Sequence, residues 1–378
     1  MALHVSLYKK VMVVIVGHMD ADDLLMDATT ALIPPLLTAI DVLTQAGRYL
    51  QPQNIAALAT EVAPHQGPLQ NALETFTAVD WPQHLQGFAA AGEASAQHAL
   101  HAFEGLLGAE QHSNPVMAAY RAMGQSTRAT EALYPLTSML PPVSRFFLLP
   151  TQRDDAALAA RLQAAGPGEE GVGVMHAANA REERGGFSLY VPEYYAGEAV
   201  PLVVALHGGS GHGRSFLWTW LRAARSRNFI LIAPTSQDDT WSLMGPDTDS
   251  ERLHALVDYA RSHWTIDPQR ILLTGMSDGG TFSYVSGLQS DSPFTHLAPS
   301  SASFHPMLVA VAAPERLHGL PIYLMHGALD WMFPVEVGRS AAEALSDAGA
   351  AVVYREIDDL AHTYPLEENP RIVDWLES

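Results

Sequence analysis

Cysteine is absent from all 378 residues, which excludes disulfides, thiolate metal sites and a cysteine nucleophile and leaves the compartment open. Lysine is almost absent: Lys9 and Lys10 are the only two, so arginine carries nearly all the positive charge. Acidic residues outnumber basic ones by 41 to 21, and the formal charge of −20 argues against nucleic acid or an anionic membrane as partner. Long apolar runs are scarce as well. The run at 11–16 falls far short of the ~18 residues expected of a membrane span. Lys9 and Lys10 ahead of it imitate the start of a secretion signal, but Gly17-His-Met-Asp-Ala-Asp-Asp23 follows in place of a small-residue cleavage site. The expectation is a structured N-terminus, no membrane span and a cytoplasmic protein.

What is present is enough apolar residue, 48% of the chain, to bury a large core in one or two domains. From residue 27 to about 149 the apolar period is helical. Leu36, Ile40 and Leu43 share one face, with Gly47 as a stop, and alanine-rich segments follow at 55–62, 69–76, 85–107 and 116–140, punctuated by prolines that include Pro34 and Pro35. This reads as an all-helical N-terminal domain, 1–150, with no internal repeat. His98 with His101, or His18 with Asp20 and Asp22, have the look of ligand pairs, yet no third and fourth ligand stands at metal-site spacing, so a solvated helix face and a loop are expected instead.

Residues 151–171 read as a linker, with a short helix bearing Leu158 and Leu162 and then a glycine-rich run at 166–171. From 172 to 378 strands and helices alternate. An antiparallel opening pair at 172–176 and 187–191 precedes apolar runs at 202–206, 229–233, 271–274, 322–325 and 352–357. Between them lie amphipathic helices. One carries Leu253, Leu256, Val257, Ala260 and Trp264 on a stripe with Asp249 as its N-cap, another spans 334–348, and the last opens at Asn369-Pro370. The fold class expected is α/β, a mostly parallel sheet covered by helices on both faces and preceded by the helical domain.

Reactive groups in such a sheet gather at the carboxyl ends of its strands. The run at 271–274 leads into Gly275-Met-Ser-Asp-Gly279, which is G-x-S-x-G: a strand, a sharp turn bearing Ser277, and a helix start. Taken alone the pentapeptide would arise by chance in roughly one chain in ten of this length, so its flanks decide. The run at 202–206 ends in His207-Gly-Gly-Ser-Gly211, where glycines let backbone N–H groups approach a developing oxyanion. The donors expected are the N–H of Gly209, with Ser210 as an alternative, and that of Asp278. A phosphate-binding turn is the other meaning of such glycines, but neither nucleotide-binding spacing is present. Asp330 follows the run at 322–325, and His362 follows the run at 352–357. Ser277 as nucleophile, Asp330 as acid and His362 as general base stand in the chain order expected on this fold, with Asp358 or Asp359 as substitutes for the acid.

On these residues the chain resembles a known superfamily. His207-Gly-Gly209, the approach Ile266-Asp-Pro-Gln-Arg-Ile-Leu-Leu-Thr-Gly-Met-Ser-Asp-Gly-Gly280, His326-Gly-Ala-Leu-Asp330 and His362 are similar to those of α/β-hydrolases, most nearly the carboxylesterase/phospholipase and polyhydroxybutyrate-depolymerase-like esterases. The resemblance covers residues from about 172 to 378 and implies a serine carboxylic-ester hydrolase that needs no metal or cofactor. A thioesterase, lysophospholipase or aminopeptidase would use the same triad, and a scaffold protein on an inactive hydrolase fold is the alternative outside enzymes. The usual inserted cap domain is missing, because the stretch between 304 and 321 is short. The helical domain is therefore expected to act as a lid or as the surface of a homo-oligomer. Among the aromatic and apolar residues near these loops (Phe216, Trp218, Trp220, Trp241, Met244, Trp331, Met332 and Phe333), Trp241 and Trp331, with Ser210, are expected to line the pocket for a small-molecule ester.

Overall fold

In the computed structural model, residues 21–165 and 171–378 are described. The apolar run at 11–16, His18, Asp20 and most of the glycine-rich run beginning at Gly166 lie outside them.

The N-terminal half is helical: α1 (Ala21–Arg48), α2 (Ile55–Val62), α3 (Gln66–Thr77), α4 (Gln86–Leu107), α5 (Pro115–Leu133), α6 (Pro141–Phe146) and α7 (Ala156–Ala164). On α1 the residues Ala28, Leu32, Leu36, Ala39, Ile40 and Leu43 recur at three- and four-residue steps, and all are buried. One expectation fails on this helix. Pro34 and Pro35 sit inside it instead of ending it; packing of the buried stripe outweighs the two backbone donors that the prolines remove. Residues 22–48 are also long and apolar enough to qualify by composition as a membrane span, although Asp22, Asp23, Asp27, Asp41 and Arg48 are spread along them. Their apolar stripe is spent on the protein's own core.

An eight-stranded sheet occupies the C-terminal half: β1 (Gly173–Ala177), β2 (Phe187–Val191), β3 (Val200–Leu206), β4 (Ile230–Pro234), β5 (Ile266–Met276), β6 (His296–Ser300), β7 (Pro321–Gly327) and β8 (Ala351–Ile357), in spatial order β1-β2-β4-β3-β5-β6-β7-β8. β2 pairs antiparallel with both β1 and β4; every other pairing is parallel. Side chains alternate between two cores, as a pleat requires. Val203, Ala205, Leu231, Leu272 and Met325 face one core, and Leu202, Val204, Ile232, Leu273 and Leu324 face the other. The second core is closed by three helices, α9 (Ser250–His263), α10 (Asp278–Gly287) and α13 (Val335–Asp347). The first is closed by α8 (Gly213–Arg227) and α14 (Asn369–Glu377), and it runs on without a break into the helical bundle. Two short helices, α11 (Met307–Val311) and α12 (Pro314–Leu317), occupy the stretch where a cap would be inserted.

The bundle docks on the outer side of α8. Tyr134 and Phe147 pack against Trp218 with ring centroids 5.5 and 6.0 Å away, and the Arg222 guanidinium lies 4.1 Å above the Phe146 ring. Polar groups follow the same seam: Arg225 reaches Ser144 and Glu193, and Glu131 on α5 takes both Arg214, at 2.6 Å, and Arg181. Asp249 does not cap α9 with its side chain. Asp247 accepts from the Asp249 and Ser250 N–H groups instead, because the Asp249 carboxylate is turned back to accept from Ser242 N–H at 2.9 Å.

Candidate active site

Strand β5 ends at Met276 and α10 begins at Asp278, so Ser277 alone makes the reversal, at φ 56° and ψ −122°. A non-glycine residue there is strained, and the surroundings hold it: its N–H donates to the Ser300 carbonyl oxygen at 2.9 Å, and its own carbonyl oxygen accepts from Thr281 N–H at 2.8 Å. The flanking glycines supply room rather than unusual φ. A Cβ on Gly275 would stand 2.5 Å from the Gly279 carbonyl carbon; one on Gly279 would stand 2.5 Å from the His207 carbonyl oxygen and closer still to that of Leu206.

Ser277 Oγ is 3.0 Å from His362 Nε2, and His362 Nδ1 is 2.8 Å from Asp330 Oδ2. The other Asp330 oxygen accepts from the N–H groups of Met332 and Phe333, each at 2.9 Å. Burial pushes the Asp330 carboxyl up, but the hydrogen bond and charge of His362 and the Phe333 N–H outweigh it and hold the group below the ordinary aspartate value. Asp330 therefore stays ionised beside the imidazole. Asp359 is committed to Arg48 and Tyr49, and Asp358 is exposed, so neither substitutes for it.

The His207–Gly211 turn lies directly against the elbow. A Cβ on Gly208 would be 3.4 Å from the Ser277 Cβ, and one on Gly209 would meet the Asp278 carboxylate at 2.6 Å. Among the described residues the Gly209 and Asp278 N–H groups have no protein acceptor, whereas Ser210 N–H is used by the Asp239 carbonyl at 2.8 Å. Ser210 is thereby removed as a donor, and its side chain is exposed. His207 is buried and pushed down to about 3 by that burial, helped by Arg184 and opposed by its bond to the Gly208 carbonyl. It is a neutral strut: Nδ1–H donates to Gly208 O at 2.6 Å and Nε2 accepts from Ser236 N–H at 3.1 Å.

Trp241 is not a pocket residue. It is buried, donates its indole N–H to the His207 carbonyl at 2.7 Å and stacks on Phe282 at 5.6 Å; one face of the indole fills the second core and its single polar atom braces the glycine turn. Trp331 is half-buried beside the acid, its ring 6.4 Å from that of Tyr120, and Phe333 packs edge-on to His362 at 5.5 Å. Phe216 and Trp220 belong to the core, and Met244 is exposed. His98 accompanies Gln125 at 3.0 Å, and no cluster of three or more His, Cys, Asp or Glu able to hold a metal is present among the described residues.

Some residues of the site could not be picked out in advance. Thr240 donates to the Asp278 carboxylate at 2.6 Å, and His326 Nε2–H donates to the Phe333 carbonyl at 2.9 Å, bracing the turn of Asp330. Only His326 had a signal, its place four residues before the acid.

A parallel sheet in this order, with serine on the β5 elbow, acid after β7 and histidine after β8, is the α/β-hydrolase fold. Within it, residues 235–377 match the phospholipase/carboxylesterase family. Over 146 residues the chain is 27% identical to a bifunctional acetylxylan esterase/xylanase of Neocallimastix patriciarum, which covers 38% of this chain and 21% of that protein, so the chain spans about a fifth of that relative's length. Among solved structures, a thermostable esterase shares 21% identity over 54% of this chain and 62% of its own, with a TM-score of 0.43. The acylaminoacyl peptidase of Pyrococcus horikoshii shares 17% over 54% of this chain and 41% of its own, also at a TM-score of 0.43.

Proposed function

We propose that this site hydrolyses carboxylic esters of small to medium acyl groups through an acyl-enzyme. Ser277 Oγ attacks the ester carbonyl carbon while His362 Nε2 takes its proton; Asp330 keeps the other ring nitrogen protonated and stabilises the imidazolium. The carbonyl oxygen gains its negative charge next to the Gly209 and Asp278 N–H groups, which need no reorganisation to receive it. Collapse expels the alcohol with the proton from His362. Water then repeats the sequence on the Ser277 ester, delivering its proton to His362, and releases the acid. No metal or cofactor enters any step.

The observation that carries this reading is the unbroken relay from Ser277 Oγ to His362 at 3.0 Å and from His362 to Asp330 at 2.8 Å. The match of residues 235–377 to a phospholipase/carboxylesterase family supports esters as the substrate class. Ser277→Ala in purified, folded protein is expected to abolish turnover of p-nitrophenyl acetate and butyrate and to remove the adduct formed with a fluorophosphonate. Retained turnover would falsify the assignment.

A further inference from the structure

His362 lies in a segment without regular structure between β8 and the final helix, and polar backbone groups in such a segment need partners from elsewhere. Here the helical bundle supplies them. Tyr120 on α5 donates its O–H to the His362 carbonyl oxygen at 2.7 Å. One residue earlier, the Ala361 N–H donates to the carbonyl oxygen of Arg48, the last residue of α1, at 3.0 Å. The Arg48 guanidinium reaches Asp359 at 2.7 Å and also pairs with Glu367, and Tyr49 donates its O–H to Asp359 at 3.1 Å. The Tyr120 ring also stands 6.4 Å from that of Trp331, the residue after Asp330. Two helices of the bundle thus hold the histidine turn on either side of its catalytic residue, and one of them touches the acid turn as well.

We propose that the N-terminal helical domain positions the general base, with Tyr120 as its principal positioning residue and Arg48 as the second. The inference rests on the triad reading above. Its physical basis is that His362 must keep Nε2 on Ser277 and Nδ1 on Asp330 at once, and a displacement of about 1 Å in such a pair costs on the order of a hundredfold in rate. The Tyr120 O–H fixes the carbonyl of that very residue, so the backbone from which the imidazole hangs cannot drift. Burial, with the nearby Asp330 charge, pushes the phenol up to about 12, so it remains a donor wherever the enzyme works. On this view the bundle is more than a cover, and the sheet domain by itself holds a triad whose histidine is loosely placed.

The test uses the full chain. Tyr120→Phe keeps the ring and removes the one hydrogen bond; kcat for p-nitrophenyl butyrate is expected to fall about tenfold or more with KM within about twofold, since a positioning defect acts on the transition state. The rate of fluorophosphonate addition to Ser277 should fall in parallel. Tyr134→Phe is the control: it removes an equivalent O–H across the same seam, to Glu193 at 2.7 Å, and should leave kcat unchanged. Wild-type kcat in Tyr120→Phe, or equal losses in both variants, overturns the proposal and reduces the contacts to interdomain adhesion. Should Tyr120→Phe fail to fold, Arg48→Met decides: a fall in kcat of about fivefold or more at constant KM supports positioning, and an unchanged kcat overturns it. Turnover surviving Ser277→Ala would instead sink the triad reading, whatever Tyr120 does.

Discussion

Adding one methyl group at Gly279 gives a sharp test of how the elbow is built. The new Cβ would lie 2.5 Å from the His207 carbonyl oxygen and nearer still to that of Leu206, and both obstacles are main chain at the end of β3, which cannot rotate away. Overpacking of ordinary side chains costs about 1–3 kcal/mol; with backbone on the far side, Gly279→Ala should reach the upper end of that range. The only relief is to move α10 off β3, which carries Ser277 away from Gly209. A loss of about 3 kcal/mol, divided by a urea m-value of about 3 kcal/mol/M, lowers the unfolding midpoint by roughly 1 M. Below that midpoint, the rate of fluorophosphonate labelling at Ser277 should fall by an order of magnitude or more. Gly124→Ala makes the comparison strict. Gly124 is exposed in the interior of α5, and its Cβ would meet nothing within 4 Å; the same methyl there should stabilise the chain by up to about 1 kcal/mol through helix propensity. A Gly279→Ala protein with the wild-type midpoint and labelling rate would refute the claim that the glycine is there for room.

Asp330→Asn leaves a neutral partner that no longer fixes the imidazole tautomer, and kcat should drop about 10⁴-fold with KM little changed in steady-state assays. Trp241→Phe removes the indole N–H from the His207 carbonyl and should cost about 1–3 kcal/mol in denaturation without altering acyl chain-length preference; a changed preference would return Trp241 to the pocket. Stability should decline in acid starting near pH 6.5. His207 is held at about 3 when folded, so between the two values the unfolded chain takes a proton that the folded one refuses, and each such group withdraws about 1.4 kcal/mol per pH unit. Asp330, Glu193 and Glu368, all held below their ordinary values, contribute stability present above about pH 4 and lost below it. A denaturation midpoint that stays flat from pH 7 to 5 would contradict this reading of His207.

Much of the site could be read along the chain because its parts are local. Each of Gly209, Ser277, Asp330 and His362 stands just beyond an apolar run, and a β-strand announces itself by such a run wherever its neighbours are. The glycines around Ser277 are equally local in the sequence, although the structure alone shows that they make space while Ser277 itself takes the strained φ. What the sequence could not decide is which way a side chain turns once its own element is formed. Trp241 and Trp331 are alike as residues near an active-site loop, yet one braces the glycine turn from within the core and the other stands beside the acid. Asp247 and Asp249 compete for one helix start, and a backbone path set by Ser242 gives it to Asp247. Pro34 and Pro35 obey a local rule against helix interiors until a buried stripe overrules it.

Most remote from the sequence is the grip of Tyr120 and Arg48 on the turn of His362. These partners are separated by 242 and 311 residues, and no period, cap or motif links a tyrosine in an alanine-rich helix to a carbonyl so far along the chain. The sequence determined where Gly209, Ser277, Asp330 and His362 would stand, because strand ends and turns are written in neighbouring residues. Only the tertiary structure decided that the helical half meets the turn of His362, because that contact exists through packing between segments that share no local pattern.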